Sequence, residues 1–391
     1  MSFQSIPGPY ELLVAAVLRR FRTGSLTVEM PHGREYVFSG SVSGPDARIE
    51  LRDRGVARRL ISGGSVALAE AYMDGAWDSP DLDTLLDFGI ANEPGWRSVD
   101  VMAPLRRLAK PLPDNDIIGS RRNIEYHYDL GNDFYSLWLD PTMTYSAACF
   151  EDADELEAAQ RRKWDRILDL LQPSSRDHIL EIGCGWGGFA MHAAREAGCR
   201  VTGLTLSEEQ AAFAKRNVEE SGLDGRVEIA LRDYRHEPQR YSGIASIEMF
   251  EAVGQRWWPV FFGRIRDLLQ PGAAAAIQVI TIDENTFERY AHNPDFTQRY
   301  IFPGGMLPSP ERFAACASGE GLELEEPRFF GRDYARTLAE WRKRFECSLD
   351  GVRALGFDER FIRMWRYYLA YCRAGFDSGV INVMQVRMRG R

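Results

Sequence analysis

Leu180-Glu181-Ile182-Gly183-Cys184-Gly185-Trp186-Gly187-Gly188 is the stretch that decides the fold class. The apolar run 178–182 reads as a short buried strand, and FAMHAAREAG from Phe189 onward reads as a helix, which leaves the glycines in the turn between them. Glycines there permit positive φ and close approach of a ligand to the backbone. The N-terminus of the following helix offers unpaired N–H groups to negative charge. The spacing is GxGxG rather than the GxGxxG that seats a pyrophosphate, and no Lys-Ser/Thr pair follows as in a phosphate loop. A nucleoside carrying a carboxylate suits it better, and S-adenosylmethionine (SAM) is such a molecule.

Working outward, residues 200–206, 226–231, 242–249 and 274–282 read as further strands, with helices over 207–221 and 257–269. Strands alternating with helices imply an α/β domain: a mostly parallel, Rossmann-like sheet with helices on both faces and ligands at the carboxyl ends of the strands. At the end of the second strand, where nucleoside-binding domains often carry an acid for the ribose, this chain offers Thr205 and Gln210. At the end of the third, Asp233 lies where an adenine amino group would sit. Each alone is equally explained as a helix cap or a solvated loop.

Upstream, residues 10–22 have helical apolar spacing, and the runs 25–30 and 35–39 flank PHGR as a hairpin. A strand at 47–51 and a helical stretch follow. Residues 1–90 are thus expected to be a small α+β domain, 91–120 a Pro-, Arg- and Asp-rich linker, and 121–391 the second domain. Hydrophobic content of 45% and charged content of 27% over 391 residues belong to an ordinary globular protein. No apolar run reaches the roughly 18 residues of a membrane span, and the N-terminus lacks a secretory pattern, so a cytoplasmic protein is expected. Six cysteines without CxxC spacing argue against zinc and against a disulfide framework, and no metal site is expected. A net charge of −9 disfavours nucleic acid, while local arginine clusters are either solvated faces or contacts to an anionic membrane surface.

The blocks NIEYHYDLGNDFYSLWLDPTMTYS, LEIGCGWGG, VTGLTLSEEQ, LRDYR, IEMFEAVG, YIFPGGMLPS and YARTLAEW, in this order, resemble the cyclopropane-fatty-acyl-phospholipid synthases and their mycolic-acid-modifying relatives. The resemblance covers about residues 120–391, and the N-terminal domain resembles the extra, lipid-associated domain of the bacterial synthases. It implies a class I SAM-dependent methyltransferase. It implies SAM contacts from Tyr145, Ser146, Gly183, Gly185, Thr205, Leu206, Gln210 and Asp233. It also implies a lid over an acyl chain at about 283–310, although the aromatic residues of that segment are equally suited to a core. The expected reaction places the sulfonium methyl in line with an alkene of a phospholipid acyl chain. An aromatic face, Tyr128 by its match, stabilises the resulting cation. A base then removes a proton so that a cyclopropane closes.

In this family that base is thought to be bicarbonate, and the resemblance implies an anion site of Ala147, Glu251, Gln278, Ile280 and Tyr334. The sequence departs from the family at two of these positions: Gln278 stands in place of a His and Ala147 in place of a Cys. Gln278 donates a hydrogen bond but brings no positive charge. Methylation without ring closure, giving a methyl-branched unsaturated chain, therefore stays open. So do a non-catalytic lipid carrier and a methyltransferase of soluble compounds. A peripheral association with membranes is expected; a homodimer is compatible with the sequence and not specified by it.

Overall fold

The computed structural model describes residues 21–93, 116, 130–151 and 155–390. Two compact units are formed. One takes its residues from within 1–111 together with 292–297 and 349–378; the other takes the remainder.

In the first unit, β1 (Thr23–Glu29) pairs antiparallel with β2 (Glu35–Ser39) and parallel with β3 (Val42–Leu51), giving the order β2-β1-β3-β4 with β4 (Trp77–Asp78) at the edge. Two helices, α1 (Val56–Met73) and α2 (Leu82–Ala91), complete the N-terminal part. Asp81 caps α2 by accepting from the Thr84 amide. The Asn92 side chain ties the end of α2 to β1, accepting from the Arg22 and Thr23 amides and donating to the Thr23 carbonyl.

The second unit is a single sheet in the order β7-β6-β5-β8-β9-β12-β10. Its strands are β5 (His178–Ile182), β6 (Arg200–Thr205), β7 (Val227–Leu231), β8 (Tyr241–Ile247), β9 (Leu269–Ile282), β10 (Leu322–Leu324) and β12 (Ile381–Gly390); β11 (Arg328–Phe329) pairs beside β12. From β7 to β9 the pairing is parallel, and β12 and β10 add antiparallel strands. The expected α/β class is therefore what the chain forms. The central strands are apolar throughout because both faces are covered. On one face lie α3 (Asn132–Ser136), α4 (Leu156–Leu171), α5 (Gly188–Glu196) and α6 (Glu208–Glu220), of which α4–α6 supply a core containing Trp164, Ile167, Phe189 and Ala214. The other face is covered by α7 (Trp258–Leu268), α8 (Glu284–His292), α9 (Phe296–Tyr300) and α10 (Pro310–Gly319), with Phe250, Trp258, Phe261, Phe262 and Phe313 at its centre. Each fully buried ring contributes roughly 1.5–3 kcal/mol by leaving water.

The remaining helices are α11 (Gly331–Cys347), α12 (Leu349–Ala354) and α13 (Glu359–Asp377). The division of the chain differs from the expected one in a specific way: residues 292–297 and 349–378, expected in the second domain, pack with the first unit. The cause is α13. Its Arg363 donates to Asp78 (3.1 Å) and to the Trp77 carbonyl (2.7 Å), with its guanidinium 3.9 Å from the centre of the Tyr72 ring. Arg373 reaches Asp83 (3.1 Å) and Asp87 (2.6 Å) of α2. Phe296 packs edge-on against Tyr367 of the same helix.

Candidate active site

The site is built at the carboxyl ends of β5, β6 and β8. β5 has β6 on one side and β8 on the other, so the strand order reverses beside it and leaves a crevice. The turn after β5 is left-handed at Gly183 (φ 83°) and Gly185 (φ 52°). A Cβ on Gly183 would meet Met249 Cγ at 2.7 Å, whereas a Cβ on Gly185 would meet nothing within 4 Å. One glycine thus allows strand ends to approach, and the other leaves bare backbone towards the crevice.

All eight residues expected to contact SAM line a single pocket there. Tyr145 lies against Tyr135, Trp138 and Trp341, with ring centroids 5.3–5.5 Å away. Ser146 Oγ accepts from Lys163 Nζ at 2.6 Å. Thr205 donates to Gln210 Oε1 at 2.8 Å, and Ser207 caps α6 by accepting from the Gln210 amide. The Asp233 carboxylate holds Arg235 through both oxygens (2.9 and 2.6 Å), so the acid and the guanidinium enter the pocket as one paired group. Trp186 donates to Asn132 at 2.6 Å, which fixes the turn against α3.

The expected anion site resolves into two parts. Tyr334, on α11, donates to Glu248 Oε2 at 2.7 Å. Gln278, on β9, and the Ala147 amide donate to Glu248 Oε1 at 2.7 and 2.8 Å. Gln278 Oε1 in turn accepts from Gln385 of β12 at 2.9 Å, which orients its amide group. Glu251 stands apart: its Oε1 accepts from the Ile280 amide at 2.5 Å, and its Oε2 is buried without a hydrogen-bond partner. Among the described residues Glu248 lines the pocket and Glu251 does not. Tyr128 and its expected position near the sulfonium lie outside the described residues.

Burial governs the electrostatics. It pushes the Glu251 carboxyl up to about 8, with neighbouring Glu248 adding to the effect, and pushes Glu181 up to about 8. It pulls Lys163 down to about 8 against the attraction of Glu248, Asp140 and Glu181. Glu248 is also raised by burial, while Lys163, Tyr334, the Ala147 amide and Gln278 hold it down. A buried lysine thus faces several buried carboxyls, and Glu248 is the one given donors on both oxygens.

The segment expected as a lid serves both roles left open for it. Phe287 and Phe296 are buried in cores, whereas Phe302 lies 6.4 Å from the Tyr145 ring at the pocket.

Residues 116–386 match the mycolic acid cyclopropane synthetase family. The chain belongs to that family. It is 39% identical to the tuberculostearic acid methyltransferase of Mycobacterium tuberculosis over 97% of this chain and 92% of that protein. It is 35% identical to the cyclopropane-fatty-acyl-phospholipid synthase of Escherichia coli over 87% of each. A crystal structure of a mycolic acid cyclopropane synthase complexed with SAH and CTAB matches with a TM-score of 0.65 at 32% identity, covering 68% of this chain and 97% of that one. This family member is accordingly a SAM-dependent methyltransferase, with the class I fold and a separate N-terminal unit. Its glycine turn and pocket are the features that suit that cofactor.

The sequence also held three polar residues that were passed over: Glu248, Glu181 and Lys163. Their signal was present, since a glutamate in an apolar strand run (HILEI), or at the end of one (SIEMF), is costly to bury without a purpose.

Proposed function

We propose that this chain adds the SAM methyl carbon across the double bond of an unsaturated acyl chain of a membrane phospholipid and closes a cyclopropane. One observation carries the proposal: a dry, hydrogen-bonded carboxylate site forms part of the wall of the cofactor pocket. When bound, SAM supplies an electrophilic methyl group. The glycine turn and Tyr145 hold the donor, and the rings around Tyr145 exclude water from the reaction. Tyr128 is proposed to offer its face to the developing cation. A base beside the methyl donor is placed for a proton on the newly transferred methyl, which is the proton whose loss closes a ring. The substrate is drawn from a bilayer by peripheral association; among the described residues no helix is long and apolar enough to cross one.

A second reading, a methyl-branched product, is favoured by the 39% identity with the tuberculostearic acid methyltransferase along nearly the whole chain. Feeding methyl-deuterated methionine to expressing cells separates the two. Ring closure gives a lipid one carbon heavier that keeps two of the deuteriums and resists mild hydrogenation. Retention of all three in a reducible chain rejects ring closure, and absence of label from lipid rejects both.

A further inference from the structure

Glu248 follows directly on β8 and is one of the few non-glycine residues with positive φ (51°) among those described. Such a conformation costs of order 1–3 kcal/mol and persists where the surroundings impose it. Here they do. Its two oxygens take hydrogen bonds from three separate parts of the second unit: the Ala147 amide, Gln278 on β9 and Tyr334 on α11. These are three of the five residues expected to hold a bicarbonate. A fourth, Ile280, is engaged by Glu251. Bicarbonate therefore does not fit this arrangement, because its donors are occupied and it would meet a carboxylate of like charge.

We propose that Glu248 is the catalytic proton acceptor, a carboxylate carried by the chain in place of a bound anion; this rests on the alkene-methylation reading above. The S–C bond breaks with its electron pair retained by sulfur, and the alkene π pair forms the bond to the methyl carbon. The adjacent chain carbon is left cationic. A Glu248 oxygen takes a proton from the new methyl, and the C–H pair forms the second ring bond to the cationic carbon. Glu248 is left as a neutral acid and returns its proton to water after product leaves. Gln278 follows from the same logic. A tethered carboxylate needs orienting donors but no positive charge to recruit it, so a neutral amide suffices where a mobile anion would call for a cation.

The test uses the full chain with vesicles of dioleoylphosphatidylglycerol, in buffer stripped of carbon dioxide and in the same buffer with added bicarbonate. Wild-type turnover is expected to agree within about twofold between the two. Glu248→Gln is expected to lose about 100-fold or more in turnover while calorimetric SAH affinity stays within about threefold. Glu248→Gly, which removes the side chain at a position whose φ suits glycine, is expected to regain about tenfold when formate or bicarbonate is added. Wild-type turnover that depends on added bicarbonate overturns the proposal whatever the variants do. So does near-wild-type turnover by Glu248→Gln. Absence of any methylated lipid from the wild type overturns the alkene reading itself, and the proposal with it.

Discussion

Tyr334→Phe removes one oxygen from a buried site and leaves the ring in place against Trp341. The lost group is the donor to Glu248 Oε2, and no other hydrogen bond described here reaches that oxygen, while Oε1 keeps its two partners. A hydrogen bond to a charged acceptor contributes about 1.5–3 kcal/mol. At about 1.4 kcal/mol per unit of pKa, its loss raises the proton affinity of the carboxylate by roughly one to two pH units. The sign follows from which form is stabilised: Tyr334 donates to the ionised carboxylate, so its removal favours protonation. The acidic limb of the turnover-against-pH profile, measured on unsaturated phospholipid vesicles at saturating SAM, is therefore expected to move to higher pH by that amount. SAH affinity is expected to stay near wild type, since the hydroxyl faces Glu248. An acidic limb that stays in place, with turnover lowered equally at every pH, would refute Glu248 as the titrating base and leave Tyr334 a packing residue.

Gly183→Ala places a Cβ 2.7 Å from Met249 Cγ at a φ of 83°, and is expected to weaken SAH binding about 10- to 100-fold by calorimetry. Unchanged affinity would show that the turn tolerates the left-handed alanine. Glu251→Gln tests burial. The Glu251 carboxyl is raised to about 8 in the folded chain, so between its unfolded value and about 8 the unfolded state ionises and the folded state does not. The wild type loses stability over that window, and a glutamine does not. The melting temperature of Glu251→Gln relative to wild type is expected to climb from about pH 5 to about pH 8 and then level off. A difference independent of pH would mean that the carboxyl is not buried as described.

Much of the second unit was legible because its signals are local. The apolar runs of β5, β6, β7 and β8, the glycines between β5 and α5, and Ser207 ahead of α6 each announce an element within a few residues. The pocket followed from the same segments, since every expected SAM contact sits at a strand end. What escaped depended on distance along the chain. Tyr334 lies 86 positions from Glu248 and meets it only when α11 packs near the ends of β8 and β9, so Glu251, in the more familiar MFEAVG block, drew the assignment instead. The pairing of β12 beside β9 is likewise non-local, and an antiparallel strand at the end of a parallel sheet leaves no periodicity of its own. Nor could composition show that the arginines of α13 answer the aspartates of α2.

That last match bears on the order in which the chain matures. Asp78 and Arg363 are 285 positions apart. At ribosomal rates of about 5–20 residues per second, the strands of the first unit wait roughly 15–60 s for the helix that covers α1 and α2. During that interval the second unit is synthesised almost whole. The first unit is thus begun first and finished late. Removing the N-terminal residues would leave Trp365, Tyr367 and Tyr368 of α13, all buried in the intact chain, without their cover. A truncated protein of that kind would carry an aggregation hazard, so the contribution of the first unit is better measured by substitutions within it.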